Sequence, residues 1–393
     1  MKVGLISFHT FSQPGGIKNH ILGLRNEFRR RGVESKIIVP RRNFLENYGK
    51  DVILLGTSFP MKFNGSQSDF SVNFNPLAID RVLEREKFDV LHFHNFGFPS
   101  ALQILEKSDS LNILTFHADI EGSTLFKFFP SLSVAMNEIV KWKMDGVIGV
   151  AKLILEIFEG FPNSQKVIPN GINLKKFNPS YPKIRKFSSD KKINLLFVGR
   201  IEERKGLIYL LQAYKILSEK FNNLRLIIVG KGDLEKNCQE YVKENKLKEV
   251  YFEGEISGNN LASYYNTADI FCSPAVSGES FGIVLLEAMA CGKPIVGFSN
   301  RGYKELLEGT KGEKFLVEPK NYGQLAEKLE LLIKDENLRK EAGEWGLEEV
   351  QKYSWEKVAG EVLDFYELCR KEKEEREKKE NEEGKTQDPF FLP

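Results

Sequence analysis

The sequence has little of what would place it quickly. Its four cysteines, Cys238, Cys272, Cys291 and Cys369, form no CxxC pair and have no zinc-finger spacing, so neither a redox dithiol nor a structural zinc site is predicted. The five histidines, His9, His20, His92, His94 and His117, fall in the first third of the chain without an HExxH motif, and no metal or other cofactor is expected. No apolar run reaches the length of a membrane-spanning helix. The opening run Val3–Phe8 is too short for a signal-peptide core, so the expectation is a cytoplasmic protein with reduced thiols. Excess charge is also missing. There are 57 Lys and Arg against 55 Asp and Glu, a net charge of +2, which argues against a nucleic-acid partner. Self-similarity at solenoid periods is absent.

What is present is an ordinary globular composition, 41% hydrophobic and 28% charged over 393 residues, enough for two domains with full cores. Short apolar runs alternate with amphipathic segments. Strands are predicted at Val3–Phe8, Ser35–Val39, Val90–Phe93, Asn112–Phe116, Gly146–Val150, Lys166–Ile168, Asn194–Val198, Leu224–Val229, Val250–Glu253, Ile270–Ser273 and Pro294–Gly297. Helical periodicity lies between them, as at Lys18–Arg31, Gly206–Lys220 and Tyr322–Asp335. This alternation predicts parallel sheets covered by helices on both faces. The pattern restarts after Pro169-Asn170-Gly171 and a polar stretch with Pro179 and Pro182, which mark a linker. The expected architecture is α/β: two Rossmann-like doubly wound domains facing a cleft, 1–173 and 174–352. A helix at 353–370 crosses back to the first domain. The charged segment 371–393 is expected to be disordered.

Three segments carry chemistry. The strand ending at Ser273 is followed by Glu279-Ser280-Phe281-Gly282-Ile283 and then Glu287. A helix is expected near Ser280, which can cap it. Gly282 would let a ligand approach the N–H groups of the first turn, and such a helix start binds phosphate. Glu279 before the helix and Glu287 two turns in would bracket one anion site, with Glu287 placed to hold two vicinal hydroxyls of a ribose. Val198-Gly199-Arg200 through Lys205-Gly206 follows a strand directly. Open α/β sheets bind ligands at that edge, so Arg200 and Lys205 would face a diphosphate; Arg204 is expected on the solvent side. In the first domain Gly15-Gly16 precedes a helix, where backbone can approach an anion. His117 stands where a strand enters the cleft and is the histidine singled out as functional; His92 and His94 fit structural roles.

Two weaker signals concern a membrane surface. Arg29-Arg30-Arg31 and Arg41-Arg42 are basic clusters, readable as solvated helix and turn ends or as contacts to an anionic leaflet. The amphipathic segment Leu125–Lys143 is readable as core packing or as an interfacial helix.

These residues resemble the family 4 retaining glycosyltransferases of the GT-B fold, over Met1 to about Arg370. The motifs that carry the resemblance are Gly199-Arg200…Lys205-Gly206, Glu279…Glu287 and Ile168-Pro169-Asn170-Gly171-Ile172. Within the family the first domain is most similar to the phosphatidylinositol mannosyltransferases, through Pro14-Gly15-Gly16, Phe63-Asn64-Gly65-Ser66, Asp89–His94 and Thr115-Phe116-His117.

The resemblance implies transfer of a hexosyl group, mannose favoured, from a GDP- or UDP-sugar. The acceptor would be lipid-linked, such as phosphatidylinositol; a soluble or polysaccharide acceptor with a UDP-sugar is the alternative. It implies that Arg200 and Lys205 bind the diphosphate, with Glu279 on the donor sugar, Glu287 on the ribose and His117 at the reacting centre. Gly15, Gly16, Ile256, Ser280, Phe281, Gly282 and Ile283 would complete the donor site. Gly16, Asn64, Ser66 and His117 would form the acceptor site. Where the subfamily has a basic residue after its Asn-Gly-Ser, this chain has Gln67-Ser68-Asp69, an acid set against a lipid phosphate. Other enzymes on the fold, or a nucleotide-sugar-binding protein without activity, are the rival readings.

Overall fold

A computed structural model describes all residues except 13–14, 64–65, 97–98, 118–129, 257, 259 and 387–393. The chain forms two compact units, Met1–Pro169 with Trp355–Pro393, and Asn170–Ser354.

In the first unit the strands are β1 (Lys2–Ser7), β2 (Glu34–Arg41), β3 (Val52–Phe63), β4 (Ser66–Val72), β5 (Val90–His94), β6 (Leu111–Phe116), β7 (Gly146–Gly149) and β8 (Ser164–Val167). They form one sheet in the order β4-β3-β2-β1-β5-β6-β7-β8. Every neighbouring pair is parallel except β3 with β4. Strands such as β5 and β6 are buried at every residue, as expected where helices cover both faces. On one face Ile21, Leu24 and Phe28 of the helix Gly16–Arg30 pack with Val358, Val362, Phe365, Tyr366 and Cys369 of the C-terminal helix. Those last five recur at three- and four-residue steps, the spacing that puts a single stripe on the sheet.

The second unit holds β9 (Ile193–Val198), β10 (Leu224–Val229), β11 (Val250–Gly254), β12 (Ile270–Ser273), β13 (Ile295–Phe298) and β14 (Leu316–Val317). They form a parallel sheet in the order β11-β10-β9-β12-β13-β14. The chain runs outward one way from β9 through β10 and the other way from β12, so β9 and β12 flank the point where strand order reverses. Ligands of doubly wound sheets bind at the carboxyl ends of such a pair.

Apart from the two-residue β14, which is not among the expected strands, the structure departs from the sequence expectation in three places. The β3–β4 hairpin was not foreseen, because Pro60 and Lys62 interrupt its apolar pattern; Phe63 pairs with Ser66 across it. The second departure is the helix expected near Ser280, which begins at Ile283, with Gly282 in the capping position. Last, the segment expected to be disordered from 371 continues the C-terminal helix to Thr386. That segment lacks apolar residues, but its charges find partners on the first unit. Lys373 donates to Ser110 O and Asp145 Oδ2 at 2.9 and 3.3 Å. Arg376 donates to Asp145 Oδ1 and Asn163 Oδ1 at 2.9 and 2.7 Å, and Ser164 Oγ donates to Glu372 at 2.7 Å.

Asp145 is buried and keeps only the Asn112 N–H, at 2.9 Å, if those cations go. A chain ending after Arg370 should therefore be less stable, by roughly 1–3 kcal/mol, the cost of leaving a buried polar group short of partners. A chain ending after Glu382 should melt with the full-length protein. Equal melting temperatures for all three would show that the outer turns contribute nothing.

Candidate active site

The loops leaving β9 and β12 meet through charge. Lys205 Nζ is paired with Glu279 Oε1. Arg204 Nη1 also reaches that oxygen, at 3.3 Å, and donates to Gly278 O at 3.0 Å. Arg204 Nε pairs with Glu202 at 2.6 Å, and Arg200 Nη2 with the same carboxylate at 3.4 Å. Three cations and two carboxylates thus form one row across the switch point. Arg204 is not on the solvent side: it bridges both acids. Neither it nor Glu202 was singled out in the sequence, since a charged turn of this kind reads as solvated until its partner 75 residues away is known. Arg200 is the most exposed of the three cations, at 49%.

Two glycines make this approach possible. Gly206, at φ 67°, caps the helix Leu207–Lys220, and a Cβ there would collide with the Pro274 carbonyl oxygen. Gly282, at φ 103°, caps Ile283–Ala290; a Cβ would sit 2.8 Å from the Tyr303 ring. That ring is itself fixed by a 2.7 Å bond between Tyr303 Oη and Ser273 Oγ at the end of β12. Both backbones lie in a region that L side chains avoid.

The other expected donor residues divide by burial. Phe281 is buried with its ring on Tyr353, centroids 5.8 Å apart, so only its backbone could serve a ligand. Ser280, Ile283 and Ile256 are partly exposed. Glu287 is half-buried and accepts a 2.7 Å bond from Tyr265 Oη. Burial pushes its carboxyl up to about 7, against the opposing effects of that bond and of Lys176.

In the first unit the helix Gly16–Arg30 starts after β1 with Gly15 in extended backbone. A Cβ at Gly15 or Gly16 would meet nothing within 4 Å, so packing does not require glycine at either position. His117 follows β6; its N–H donates to Asn95 Oδ1 at 2.7 Å. His117 Nε2 lies 3.3 Å from Nδ1 of His94, the last residue of β5. His20, His94 and His117 offer ring nitrogens within 4.8 Å of one another, the one such group of possible metal ligands among the described residues. His92 is buried and structural: Thr115 Oγ1 and Tyr366 Oη each lie 2.6 Å from its ring nitrogens. Of the expected acceptor residues, Asn64 lies outside the described residues and Ser66 opens β4. Asp69 is not a free acid. It pairs with Arg42, accepts the Thr10 N–H at 2.9 Å, and its carboxyl is held below the usual range by those bonds and by His9, against the effect of burial.

Comparison with known proteins gives the same picture in both halves. Residues 14–176 match the family description Glycosyltransferase Family 4, and residues 181–348 match Glycosyl transferases group 1. A phosphatidyl-myo-inositol mannosyltransferase of Mycobacterium leprae is 31% identical over 379 residues, 93% of this chain and 96% of that relative. One from Mycobacterium tuberculosis is 30% identical over 384 residues, 93% and 97% of the two chains. Among solved structures, the sucrose-phosphate synthase of Thermosynechococcus elongatus superposes with a TM-score of 0.76 at 20% identity, covering 93% of this chain and 98% of that one. The Anabaena HepE protein in complex with UDP and glucose gives 0.72 at 18%, covering 93% and 99%. These likenesses identify the fold as GT-B.

Two measurements test the charged loop and the half-buried Glu287. Arg200→Ala or Lys205→Ala should weaken binding of a nucleoside diphosphate by roughly 1.5–3 kcal/mol, the worth of a charge-assisted bond. Binding of the bare nucleoside should be nearly unchanged; equal calorimetric losses for both ligands would remove the clamp. A ribose diol held by Glu287 would donate to the ionised carboxylate and so favour it. Affinity for an intact nucleotide-sugar, whose diphosphate has no group titrating near neutrality, should rise roughly fivefold to tenfold from pH 6 to pH 8, as expected for a carboxyl titrating near 7. In Glu287→Gln the profile should be flat. A wild-type profile already flat over that range would separate Glu287 from the ligand.

Proposed function

This chain belongs to glycosyltransferase family 4, and from that premise we propose that it moves a mannosyl group from a nucleotide-diphosphate sugar to a lipid-linked acceptor, with retention of configuration. The observation that carries the donor half is the paired Lys205 and Glu279 at the switch point of the second unit, with Arg200 exposed beside them. Arg200, Lys205 and the start of the helix Ile283–Ala290 neutralise the diphosphate as it departs. Most of the barrier reduction comes from this charge stabilisation and from positioning. Glu279 turns from its cations to the donor sugar, and Glu287 holds the ribose. Gly15 and Gly16, with open space where side chains would be, admit the phosphate and acceptor to the helix start of the first unit. His117 faces the acceptor hydroxyl. No step needs a protein nucleophile: the acceptor attacks on the face the diphosphate leaves.

Mannose and the inositol lipid are favoured because the relatives named above are phosphatidyl-myo-inositol mannosyltransferases. Access to a lipid acceptor requires a membrane-facing surface, and the arginine cluster fits that role less well than its sequence suggested. Arg25 and Arg29 share Asp51, and Arg30 and Arg31 pair with Glu27. Apolar exposure is the better support. Phe44 and Leu45 are 88% and 94% exposed, and Phe59, Phe70, Phe74 and Leu77 are also solvent-facing. Phe59 pairs across the hairpin with Phe70 and touches Phe74, ring centroids 6.3 Å apart. Aromatic residues exposed together in this way fit the interfacial zone of a bilayer. Of the 125–143 segment, residues up to 129 lie outside the described residues; Val134 and Trp142 are exposed and Met136 is buried. No described helix is long and apolar enough to cross a membrane.

The test is a transfer assay with radiolabelled GDP-mannose and UDP-glucose. Each is offered phosphatidylinositol in phosphatidylcholine vesicles, with and without phosphatidylglycerol, and separately a panel of soluble glycosides and polyols. Label should pass from GDP-mannose into the lipid phase. Replacing Phe44, Leu45 and Phe74 by Ser should reduce vesicle sedimentation and lipid transfer together, with affinity for free GDP unchanged. Transfer only to soluble acceptors, with no sedimentation on any vesicle, would overturn the lipid reading in favour of a soluble acceptor.

A further inference from the structure

The histidines of the first unit are packed too closely to be independent. The His20 ring meets three others: His94 at 5.2 Å, His117 edge-on at 4.6 Å, and Trp355 edge-on at 5.1 Å between centroids. Trp355, the first residue of the C-terminal helix, occupies the place where a side chain at Gly23 would be: a Cβ there would collide with the indole. His20 is buried, with Trp355 packed edge-on against its ring. His94 is fully buried, and burial together with its histidine neighbours holds it neutral, far below the usual imidazole range. Its Nδ1 faces His117 Nε2 at 3.3 Å, while its Nε2 has no hydrogen-bond partner among the described residues.

A neutral imidazole carries one proton. If His94 carried it on Nε2, a buried N–H would be orphaned, which folded proteins almost never allow; an orphaned lone pair is the milder defect. The proton therefore belongs on Nδ1, donated to His117 Nε2. His117 must then accept at Nε2 and carry its own proton on Nδ1. The backbone of His117 is meanwhile held by Asn95, whose own N–H donates to Thr115 O at 2.8 Å.

We propose that His94 and His20 are positioning residues for His117: His94 sets its tautomer, with the proton on Nδ1, and His20, packed against Trp355, sets its ring plane. This rests on His117 acting at the reacting centre. The crossover of the C-terminal helix then does more than close the first unit, because its first side chain buttresses the group that meets the acceptor.

The test uses the full-length chain with uniformly ¹⁵N-labelled histidine and the transfer assay. The wild-type His117 should show the Nδ1–H tautomer, and His94→Phe should lose or mix it. His94→Asn, which keeps an amide donor near the Nδ1 position, should restore it. Turnover should fall roughly tenfold to a hundredfold in His94→Phe, the scale for a misplacement of about 1 Å, and recover in part in His94→Asn. Affinity for free nucleoside diphosphate should stay at the wild-type value in both. Trp355→Phe should lower turnover less and leave the tautomer in place. An Nε2–H tautomer in the wild type would overturn the proposal. So would full turnover in His94→Phe, or loss of activity on chelation that zinc alone restores, which would make the three rings a metal site. A fully active His117→Ala would instead remove His117 from the reaction, while the tautomer measurement would still decide whether His94 sets it.

Discussion

The second unit is organised around one charge contact: Lys205 on the loop after β9 held to Glu279 on the loop after β12. These strands are neighbours in the sheet but 72 residues apart from the end of one to the start of the next. The loop after β9 carries Arg200, Arg204 and Lys205, and the loop after β12 answers them with the carboxylate of Glu279. With Arg204 bridging Glu202 and Glu279, cations and acids alternate along the two loops. The arrangement has a consequence for ligand binding. A diphosphate bound at Lys205 would compete with Glu279 for it, so part of its attraction would be offset by breaking an existing pair. On the proposed roles, Glu279 would in exchange be released toward the donor sugar. A site built this way answers a complete nucleotide-sugar better than either half of it.

The first unit depends on a segment that arrives last. Tyr366 reaches His92, Trp355 reaches His20, and Val358, Val362 and Phe365 complete the core over β1 and β5. The nearest preceding residue of that unit is Pro169, so the whole second unit lies between. Closing so long a loop costs little more than closing a moderate one, because the entropy grows only logarithmically with length. The buried apolar stripe of the C-terminal helix offsets that cost, and its outer charged turns add the Asp145 contacts.

Much of the fold was legible because parallel strands buried on both faces leave continuous apolar runs ending in turn residues, and that signal is local. The hairpin β3–β4 was not, since an antiparallel edge pair with Pro60, Lys62 and serines reads as loop. Asn64-Gly65 was read as part of an acceptor motif, although the same dipeptide is also a hairpin turn signal. The outer turns of the C-terminal helix were missed because their partners, Asp145, Asn163 and Ser164, are more than 200 residues away. At the candidate site the positions were readable from their strand ends, and the pairings were not. Arg204, Glu202 and His20 were passed over for one reason: a charged turn or a helix-borne histidine looks solvated or structural until its neighbour in space is known.

The two glutamates eight residues apart show how the fold gives one residue type two characters. Glu279 sits among cations, paired with Lys205 and within reach of Arg204. Glu287 sits in the helix beside Tyr265, with its cation, Lys176, acting only at a distance, and burial raises its carboxyl to about 7. Environment alone separates them. A carboxylate kept by cations is suited to the sugar that acquires positive character as the bond to diphosphate breaks. A carboxyl poised between its two forms is suited to a neutral diol, which it can meet as an acceptor once bound. The sequence spacing that placed both acids around one helix start is therefore only half of the design, and the other half is the difference in what surrounds them.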